Sequence, residues 1–371
     1  MPTIWMIFLL FPFSVCCSQN DSRNDGAEAN LENSISPFPN LVADSLMLTK
    51  AMSEIESTPI AENAFKKWIS TPASQAMSTM PFAVKEVDNS VQVKTKNNAR
   101  AIYALSVSWL SMDKETQKAK LYLNIISSLI LEWARVNIPT KHTPLESILM
   151  PIYEAYSIVR SNIDDKDRAC IDSWIELRAD YYKKLELTGN LLVNNWNTVR
   201  LNLLFYYAQI LDDEMLYNYS ISKLKSHIEG NIFENGISHD FVNRDAFTYH
   251  GYNMLFYARI LKTIALYKGK DVALQMYNYK NSKGGSVKKS VEYWKPYLID
   301  SDNNIHLEFV NTEWEPDKDR TDYNKPYNPS GALYILDELR YIEPECSSFV
   351  QSISGAGEYG RNFKLWINGI Y

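Results

Sequence analysis

The sequence predicts an all-α fold, a single domain built from antiparallel helix pairs. Apolar residues recur at helical spacing in successive segments, and no stretch keeps the alternation that is typical of a strand. The breaks between segments are short and rich in Asn, Gly, Asp and Pro, as at Glu234-Asn235-Gly236. Short breaks place consecutive helices side by side, which gives either a toroid or a solenoid. No fixed sequence period is present, which argues against a simple repeat solenoid.

The predicted helices follow one another between residues 99 and 339. They cover Ala99 to Trp109, Lys118 to Val136, Ile152 to Arg160, Ile171 to Lys184, Trp196 to Leu211, Glu214 to Glu229, Tyr252 to Lys268, Asp271 to Tyr277, Ser286 to Tyr297 and Gly331 to Leu339. The segment from Asp300 to Pro329 predicts a long loop, and an irregular tail is expected after residue 339. We see no internal boundary beyond residue 40 and predict one domain over residues 37–371.

The composition limits the classes of function. A content of 46% hydrophobic and 22% charged residues is that of a globular protein. The net charge of -6 argues against a nucleic-acid partner, which requires a basic face. The 9 Trp, 24 Tyr and 14 Phe suit a large core or a carbohydrate cleft, because the apolar face of a sugar ring packs on aromatic rings. A polyanionic substrate would need a locally basic cleft on this acidic body.

The first residues predict a secreted protein. Residues 1–17 are apolar, too short to span a bilayer and followed by a polar run, as in a signal peptide that lacks its usual positive charge. A cysteine at the cleavage point indicates a lipoprotein anchored through a lipid on Cys17 or Cys16, with residues 18–36 as a tether. We therefore expect a periplasmic or cell-surface location, outer membrane included. Without the leader, the chain contains two cysteines, Cys170 and Cys346. We interpret them as buried free thiols, and a single disulfide between them is the alternative.

The stretch from Gly230 to Tyr252 is the most informative in the chain. It places Arg244, Tyr249 and His250 close together, directly before an apolar helical run. Surface charge beside buried aromatic rings is the plain interpretation; a catalytic cluster is the alternative. If the helix already includes Arg244, this arginine and Tyr249 lie on roughly neighbouring faces.

A second polar cluster lies some fifty residues earlier. Asn194 and Asn195 precede Trp196 at the start of a predicted helix, and Arg200 follows. Helix capping explains one asparagine, whereas two beside a tryptophan slightly exceed what a cap requires. Arginine, tyrosine, histidine and amide groups in one cleft suit the removal of a proton beside a carboxylate. Amide and guanidinium groups neutralise the carboxylate, and tyrosine or histidine moves the protons.

The late loop adds weaker candidates. His306 and Glu308 share a face if the loop is extended, and Arg320 follows; a solvated loop with ion pairs is the favoured interpretation. The sequence contains no H-E-x-x-H, paired C-x-x-C, phosphate loop or G-x-S-x-G. Metalloprotease, kinase and serine-hydrolase chemistry therefore lack their motifs, and we expect neither a cofactor nor a catalytic metal.

In several segments the chain resembles the alginate lyase-like polysaccharide lyases, which are built on an (α/α) toroid. The segments are Asn98 to Ala134, Pro151 to Tyr156, Asn194-Asn195-Trp196, Asp240 to His250, Ser286 to Pro296 and His306 to Phe309. Their order and spacing, over roughly residues 37–339, make the resemblance more specific than any single motif. It implies a toroid or incomplete barrel and cleavage of a uronic-acid polysaccharide by β-elimination, with alginate (polymannuronate) first and glucuronan second.

The resemblance also implies roles for residues. Asn195, with Asn194, and Arg244 would neutralise the uronate carboxylate. Tyr249 would be the catalytic acid and, in syn elimination, also the base, and His250 would assist through a hydrogen bond or a positive charge. The other candidates are assigned to substrate binding: Asn194, Trp196, Arg200, Tyr252, His306, Glu308 and Arg320.

One departure from the family pattern keeps alternatives open. Relatives commonly have a histidine in or just after the asparagine motif, where this chain has Trp196 and Asn197. His250 or Tyr249 then acts as the base, only syn-type substrates are cleaved, or activity is lost. A non-catalytic glycan-binding lipoprotein is one alternative. The other is an (α/α)-barrel glycoside hydrolase, whose two carboxylates would come from Asp240, Asp245 and Glu308.

Overall fold

The computed structural model describes residues 40–353 of the chain. The predicted leader, Cys16, Cys17 and the tether lie outside the described residues, as do the ends of the predicted domain, residues 37–39 and 354–371. Within the described part, the α-helices are α1 (Ser45–Ser57), α2 (Pro59–Phe65), α3 (Thr71–Ala76), α4 (Gln92–Leu110), α5 (Gln117–Val136), α6 (Thr143–Glu146), α7 (Met150–Val159), α8 (Asp165–Lys184), α9 (Asn190–Val193), α10 (Asn195–Leu211), α11 (Glu214–Asn231), α12 (His239–Arg244), α13 (Phe247–Lys268), α14 (Lys270–Tyr277), α15 (Val287–Ile299), α16 (Leu333–Leu339) and α17 (Cys346–Ser352). A π-helical turn, Lys66–Ser70, and four 3₁₀ turns, Ser147–Leu149, Arg160–Asn162, Glu315–Asp319 and Pro329–Ala332, complete them.

The all-α prediction is confirmed. Residues 40–353 contain no β-strand, only two isolated bridges, Ile232 with Ser238 and Leu307 with Pro326. Helices α4, α7, α10, α13 and α16 contact one another in series, and α5, α8, α11 and α14 pack against them. This two-layer arrangement is the predicted toroid of helix pairs.

Burial distinguishes the inner helices from the outer ones. Residues 197–208 of α10 are buried without a gap, and α13 is buried over almost its whole length. A helix that is buried on all sides belongs to the interior of a fold. By contrast, α5 buries one face, through Tyr122, Ile126 and Trp133 among others, and exposes the opposite one. The inner helices therefore carry their polar residues only at their ends or where a hydrogen-bond partner is built in.

Most predicted helices are present, with some boundaries moved. Helix α4 begins at Gln92, earlier than predicted, because its first turns are too polar to continue the apolar pattern, and α13 also begins earlier, at Phe247. The prediction of an irregular tail is wrong for Cys346–Ser352, which forms α17 and packs on α15 and α16. Helices α1–α3, α6, α9 and α12 were not predicted individually.

Cys170 and Cys346 are free thiols, so the single bridge that was left open does not form. Among the described helices, none is both long and apolar enough to cross a membrane.

Several segments come together at one end of the inner helices. There the first residues of α10 and α13 meet α6, α12 and the loop between α15 and α16.

Candidate functional site

The N-terminal ends of α10 and α13 open into a cleft of about 730 Å³. This is the size of a pocket that binds a small molecule or a few sugar units. The cleft is lined by His142, Pro144, Asn190, Leu191, Asn194, Asn195, Trp196, Asp240, Asn243, Arg244, Thr248, Tyr249, Tyr252, Glu313, Trp314, Arg320 and Tyr334. The two clusters singled out in the sequence, fifty residues apart, therefore meet in one place.

The two asparagines have different tasks. The side-chain oxygen of Asn194 accepts a hydrogen bond from the Trp196 N–H at 3.0 Å and caps α10, as the plain interpretation held. Asn195 is only 7% exposed and lines the cleft, yet its side-chain amide makes no hydrogen bond with residues 40–353. Its amide atoms are not fully desolvated, so water or a ligand in the cleft can satisfy them. Asn195 is therefore available to bind a substrate group.

Asp240 holds the backbone of this motif in place. It is buried and accepts the Asn195 N–H at 2.9 Å and the side-chain amide of Asn231 at 3.3 Å. Burial raises the pKa of Asp240 to about 7, although both hydrogen bonds oppose that shift. Asp240 thus positions the first turn of α10 beside the cleft.

A sharp turn between α12 and α13 places the Arg244 guanidinium against the Tyr249 ring. Helix α12 ends at Arg244, and Asp245 adopts a left-handed conformation with φ 47° before α13 begins. The Asp245 carboxylate stabilises this turn by accepting the Asn311 N–H at 2.7 Å. The helix that begins before Tyr249 does not include Arg244, so the condition under which the two residues share one helix is not met. Even so, the Arg244 guanidinium lies 3.7 Å from the centre of the Tyr249 ring.

The charge of Arg244 is partly compensated. Its Nε and Nη2 donate to the two carboxylate oxygens of Asp317, which is 2% exposed, and Thr312 donates to the same carboxylate. Burial disfavours the charged form of Arg244, but its pKa is raised because the Asp317 hydrogen bond and interaction with Tyr249 outweigh it. Arg244 is consequently held rigidly and faces Tyr249.

Arg320 is a second arginine near the Tyr249 ring. Its guanidinium is 6.0 Å from the Tyr249 ring centre and 4.5 Å from that of Phe309. Asp322 accepts hydrogen bonds from its Nε and Nη2, and these, with smaller contributions that include Tyr249, raise the pKa of Arg320. Two guanidinium groups held by carboxylates therefore lie near the ring of Tyr249, which lines the cleft.

Tyr252 also lines the cleft, and its pKa is shifted mainly by burial. Burial raises its pKa to about 12, with a smaller opposing effect from a hydrogen bond to Ser147. A phenol in such surroundings keeps its proton at neutral pH. Tyr252 is thus suited to donate a hydrogen bond to a substrate.

His250 does not reach the cleft, which corrects its predicted role as a charged or hydrogen-bonding assistant. It is fully buried, accepts from the Ser238 hydroxyl at Nδ1 (3.0 Å) and donates from Nε2 to the Ser290 carbonyl (3.2 Å). Burial lowers the pKa of His250 to about 4, so the ring is neutral. Because Ser238 caps α12 and Ser290 lies in α15, His250 fastens both helices to α13.

Three substrate-binding candidates also lie outside the cleft lining and have structural partners instead. Arg200 donates to the carbonyls of Tyr182 and Lys183 at the end of α8, at 2.6 and 3.4 Å. Glu308 accepts the N–H groups of Phe247 and Thr248 at 2.8 and 2.9 Å and so caps α13. His306 donates to the Asp245 carbonyl at 3.1 Å. The predicted contact of Arg200, Glu308 and His306 with substrate is corrected accordingly.

The structure adds residues that the sequence interpretation missed. His142 packs its ring on Trp196, with ring centres 4.3 Å apart, and Trp314 is 57% exposed at the cleft. Asp317, the partner of Arg244, comes from the late loop. The segment His142-Thr143-Pro144 carries a weak signal of a helix start, with Pro in the first turn; Trp314 and Asp317 carry none.

Carboxylates and metal ligands are sparse in this region. In the described part of the chain, no group of three or more His, Cys, Asp or Glu side chains is arranged to hold a metal ion. Of the three carboxylates considered for glycoside hydrolysis, Asp245 and Glu308 are used in the α12–α13 connection, and Asp240 anchors α10. Their positions do not favour a pair across the cleft.

The chain is similar to known proteins in part of its sequence and in its fold. A family model described as alginate lyase matches residues 152–304, a range that includes Asn195, Arg244 and Tyr249. No curated protein matches the chain. The crystal structure of an alginate lyase from Bacteroides ovatus shares the fold with a TM-score of 0.65 at 12% identity, covering 90% of this chain and 99% of that one. Together these findings confirm that the chain resembles the alginate lyase-like polysaccharide lyases in part of its sequence and in its fold.

Proposed function

We propose that this chain cleaves a uronic-acid polysaccharide by β-elimination, with alginate (polymannuronate) as the first candidate substrate and glucuronan as the second. The observation that carries the proposal is that Tyr249, with two guanidinium groups near its ring, shares one cleft with Asn195, whose amide makes no side-chain hydrogen bond within residues 40–353. A carboxylate-bearing sugar ring supplies the acceptor oxygens that this amide lacks.

The reaction divides among these residues. The Asn195 amide and the remaining N–H groups of Arg244 bind the uronate carboxylate, which makes the proton on the adjacent ring carbon more acidic. The Tyr249 phenolate takes that proton. The electron pair of the broken C–H bond forms a C=C bond, and the bond from the next carbon to the glycosidic oxygen breaks. Tyr249 then returns its proton to the departing oxygen, so that one residue serves as base and acid in syn elimination.

Aromatic and donor groups around the cleft suit binding of a sugar chain. The exposed face of Trp314 can pack on a sugar ring, and the Tyr252 hydroxyl remains a hydrogen-bond donor. Because Asp317 and Asp322 compensate the two arginines, the cleft is less basic than a site that binds polyanions by charge alone. We expect specificity to come from hydrogen bonds to individual sugar units.

The test is ultraviolet absorbance of the mature protein incubated with a panel of uronic-acid polysaccharides. The new C=C bond next to the carboxylate absorbs, so a rise identifies both the reaction and the substrate. New reducing ends without this absorbance would indicate hydrolysis. Binding without product would favour the glycan-binding alternative, which the tryptophan at the usual histidine position motivates.

We further propose, from the sequence of residues 1–36, that the protein is exported and anchored through a lipid on Cys17 or Cys16. Palmitate labelling of the producing cells tests this. Incorporation into the wild-type chain that is lost in the Cys16→Ala, Cys17→Ala double variant is expected, and an unlabelled wild-type chain contradicts it.

A further inference from the structure

A histidine distant in sequence from the asparagine motif is packed against it. His142 precedes α6, and its ring lies on that of Trp196, the residue that follows Asn195. The Thr143 hydroxyl donates to the Trp196 carbonyl at 2.8 Å, which ties the start of α6 to the start of α10. His142 lies outside residues 152–304, the range of the family match.

The position of His142 is rigid. Glu146, at the end of α6, is buried and accepts hydrogen bonds from Arg178 at 3.0 Å and from the Tyr153 hydroxyl at 2.7 Å. The buried Thr143 fixes the other end of the helix. A side chain held by such contacts keeps one orientation and binds a ligand without loss of its own rotamer freedom.

The hydrogen bonds of His142 define its tautomer. Nδ1 accepts the Leu145 N–H at 3.2 Å and caps α6, so in the neutral ring the proton is on Nε2. No described residue is hydrogen-bonded to Nε2, although the half-buried ring lines the cleft. Burial lowers the pKa of His142, which favours this neutral form.

We propose that His142 donates a hydrogen bond from Nε2 to an acceptor oxygen of the bound uronic-acid chain, beside the group bound by Asn195. The inference rests on the proposed function, because it requires a uronate in this cleft. It assigns a substrate contact to the residue that caps α6. This contact lies next to Trp196, the residue that follows the two asparagines in this chain. His142 is not the base, since its only lone pair in the ring plane is used by the cap.

Two substitutions separate the cap from the donor. In His142→Asn the shorter amide can still cap α6, because asparagine is among the best N-cap residues, but it does not reach the position of Nε2. In His142→Gln the longer amide keeps an N–H near the position of Nε2 and caps poorly. We expect kcat/KM to fall about 10- to 100-fold in the asparagine variant and less than about tenfold in the glutamine variant. The melting temperature should follow the reverse order.

Several results would overturn this inference. The first is an asparagine variant with wild-type kcat/KM, and the second is activity that follows the melting temperature in both variants. The third is equal inactivation of both variants together with loss of the acidic limb of the pH–rate profile. The last of these would mean that the imidazole is a base.

Binding distinguishes failure of the inference from failure of the proposed function. If the wild-type chain forms no unsaturated product, its affinity for a polymannuronate and a glucuronan oligosaccharide is measured by calorimetry, together with both variants. Affinity lost in His142→Asn and kept in His142→Gln supports the donor without catalysis. Equal affinity in all three chains, or no binding by any of them, overturns the inference.

Discussion

Replacing Tyr249 with phenylalanine removes one hydroxyl from the cleft and leaves the ring in place. The ring contacts remain, since the Arg244 guanidinium lies 3.7 Å from the ring centre and Phe309 packs edge-on at 6.1 Å. Arg244 also keeps its carboxylate partner, Asp317. We therefore expect the free energy of unfolding to change by less than about 1 kcal/mol.

The effect on catalysis should be much larger. A positioned acid–base group contributes about 10²- to 10⁴-fold to rate, which at about 1.4 kcal/mol per tenfold corresponds to about 3–5 kcal/mol of barrier. Because Tyr249 is assigned both proton transfers, the loss should lie at the upper end. It should appear in kcat rather than in KM, since the hydroxyl acts in the transition state.

Initial rates of unsaturated product, read by ultraviolet absorbance, measure this loss. Tyr267→Phe is the matched control: the same change on the same helix, about 27 Å further along α13, at a hydroxyl that donates to Asp212. The control should keep wild-type kcat. A Tyr249→Phe variant whose kcat stays within tenfold of wild type would refute the assignment and direct attention to Tyr252 as the proton carrier.

Three other perturbations probe the surroundings of the reaction. Asp317→Asn leaves the partly buried guanidinium of Arg244 without its counter-ion, so chemical denaturation should show a loss of about 1–3 kcal/mol together with lower kcat/KM; unchanged stability would mean that the pair does not hold Arg244. Trp314→Ala removes an exposed stacking face, so KM should rise about 3- to 10-fold while kcat and melting temperature stay near wild type; an unchanged KM would remove Trp314 from binding. His250, whose pKa is about 4 in the folded chain and about 6.5 unfolded, stabilises fully above pH 6.5 and loses this contribution as pH falls through that window, by about 2 kcal/mol at pH 5. The stability advantage of wild type over His250→Gln should therefore shrink by that amount between pH 7 and pH 5, and an advantage that is constant with pH would contradict a buried neutral ring.

Local sequence patterns were sufficient to predict most of the longer helices, but not the connections that bring them together. The apolar spacing of α5, α10 and α13 predicts helices because each buries a continuous stripe or its whole surface. The sequence also marks Asn194 as a cap and places Arg244 near Tyr249. It does not reveal the left-handed Asp245 between them, because aspartate adopts that conformation only where partners such as the Asn311 N–H stabilise it.

Whether a residue lines the cleft depends on the direction and burial of its side chain, and the local sequence does not encode either of them. His250 and Tyr249 are adjacent, yet one faces Ser238 and Ser290 inside the fold and the other faces the cleft, since successive helical side chains point about 100° apart. Arg200 was a fair candidate by proximity and proved to hold the end of α8.

The sequence by itself determined the all-α class, the resemblance to alginate lyase-like proteins and the motifs of Asn195, Arg244 and Tyr249, because these depend on residues close together in the chain. The tertiary structure alone decided which side chains share the cleft. His142, Trp314 and Asp317 reach it from segments far from the motifs. Such contacts arise from helix packing and loop closure over long sequence separations, and no local pattern encodes them.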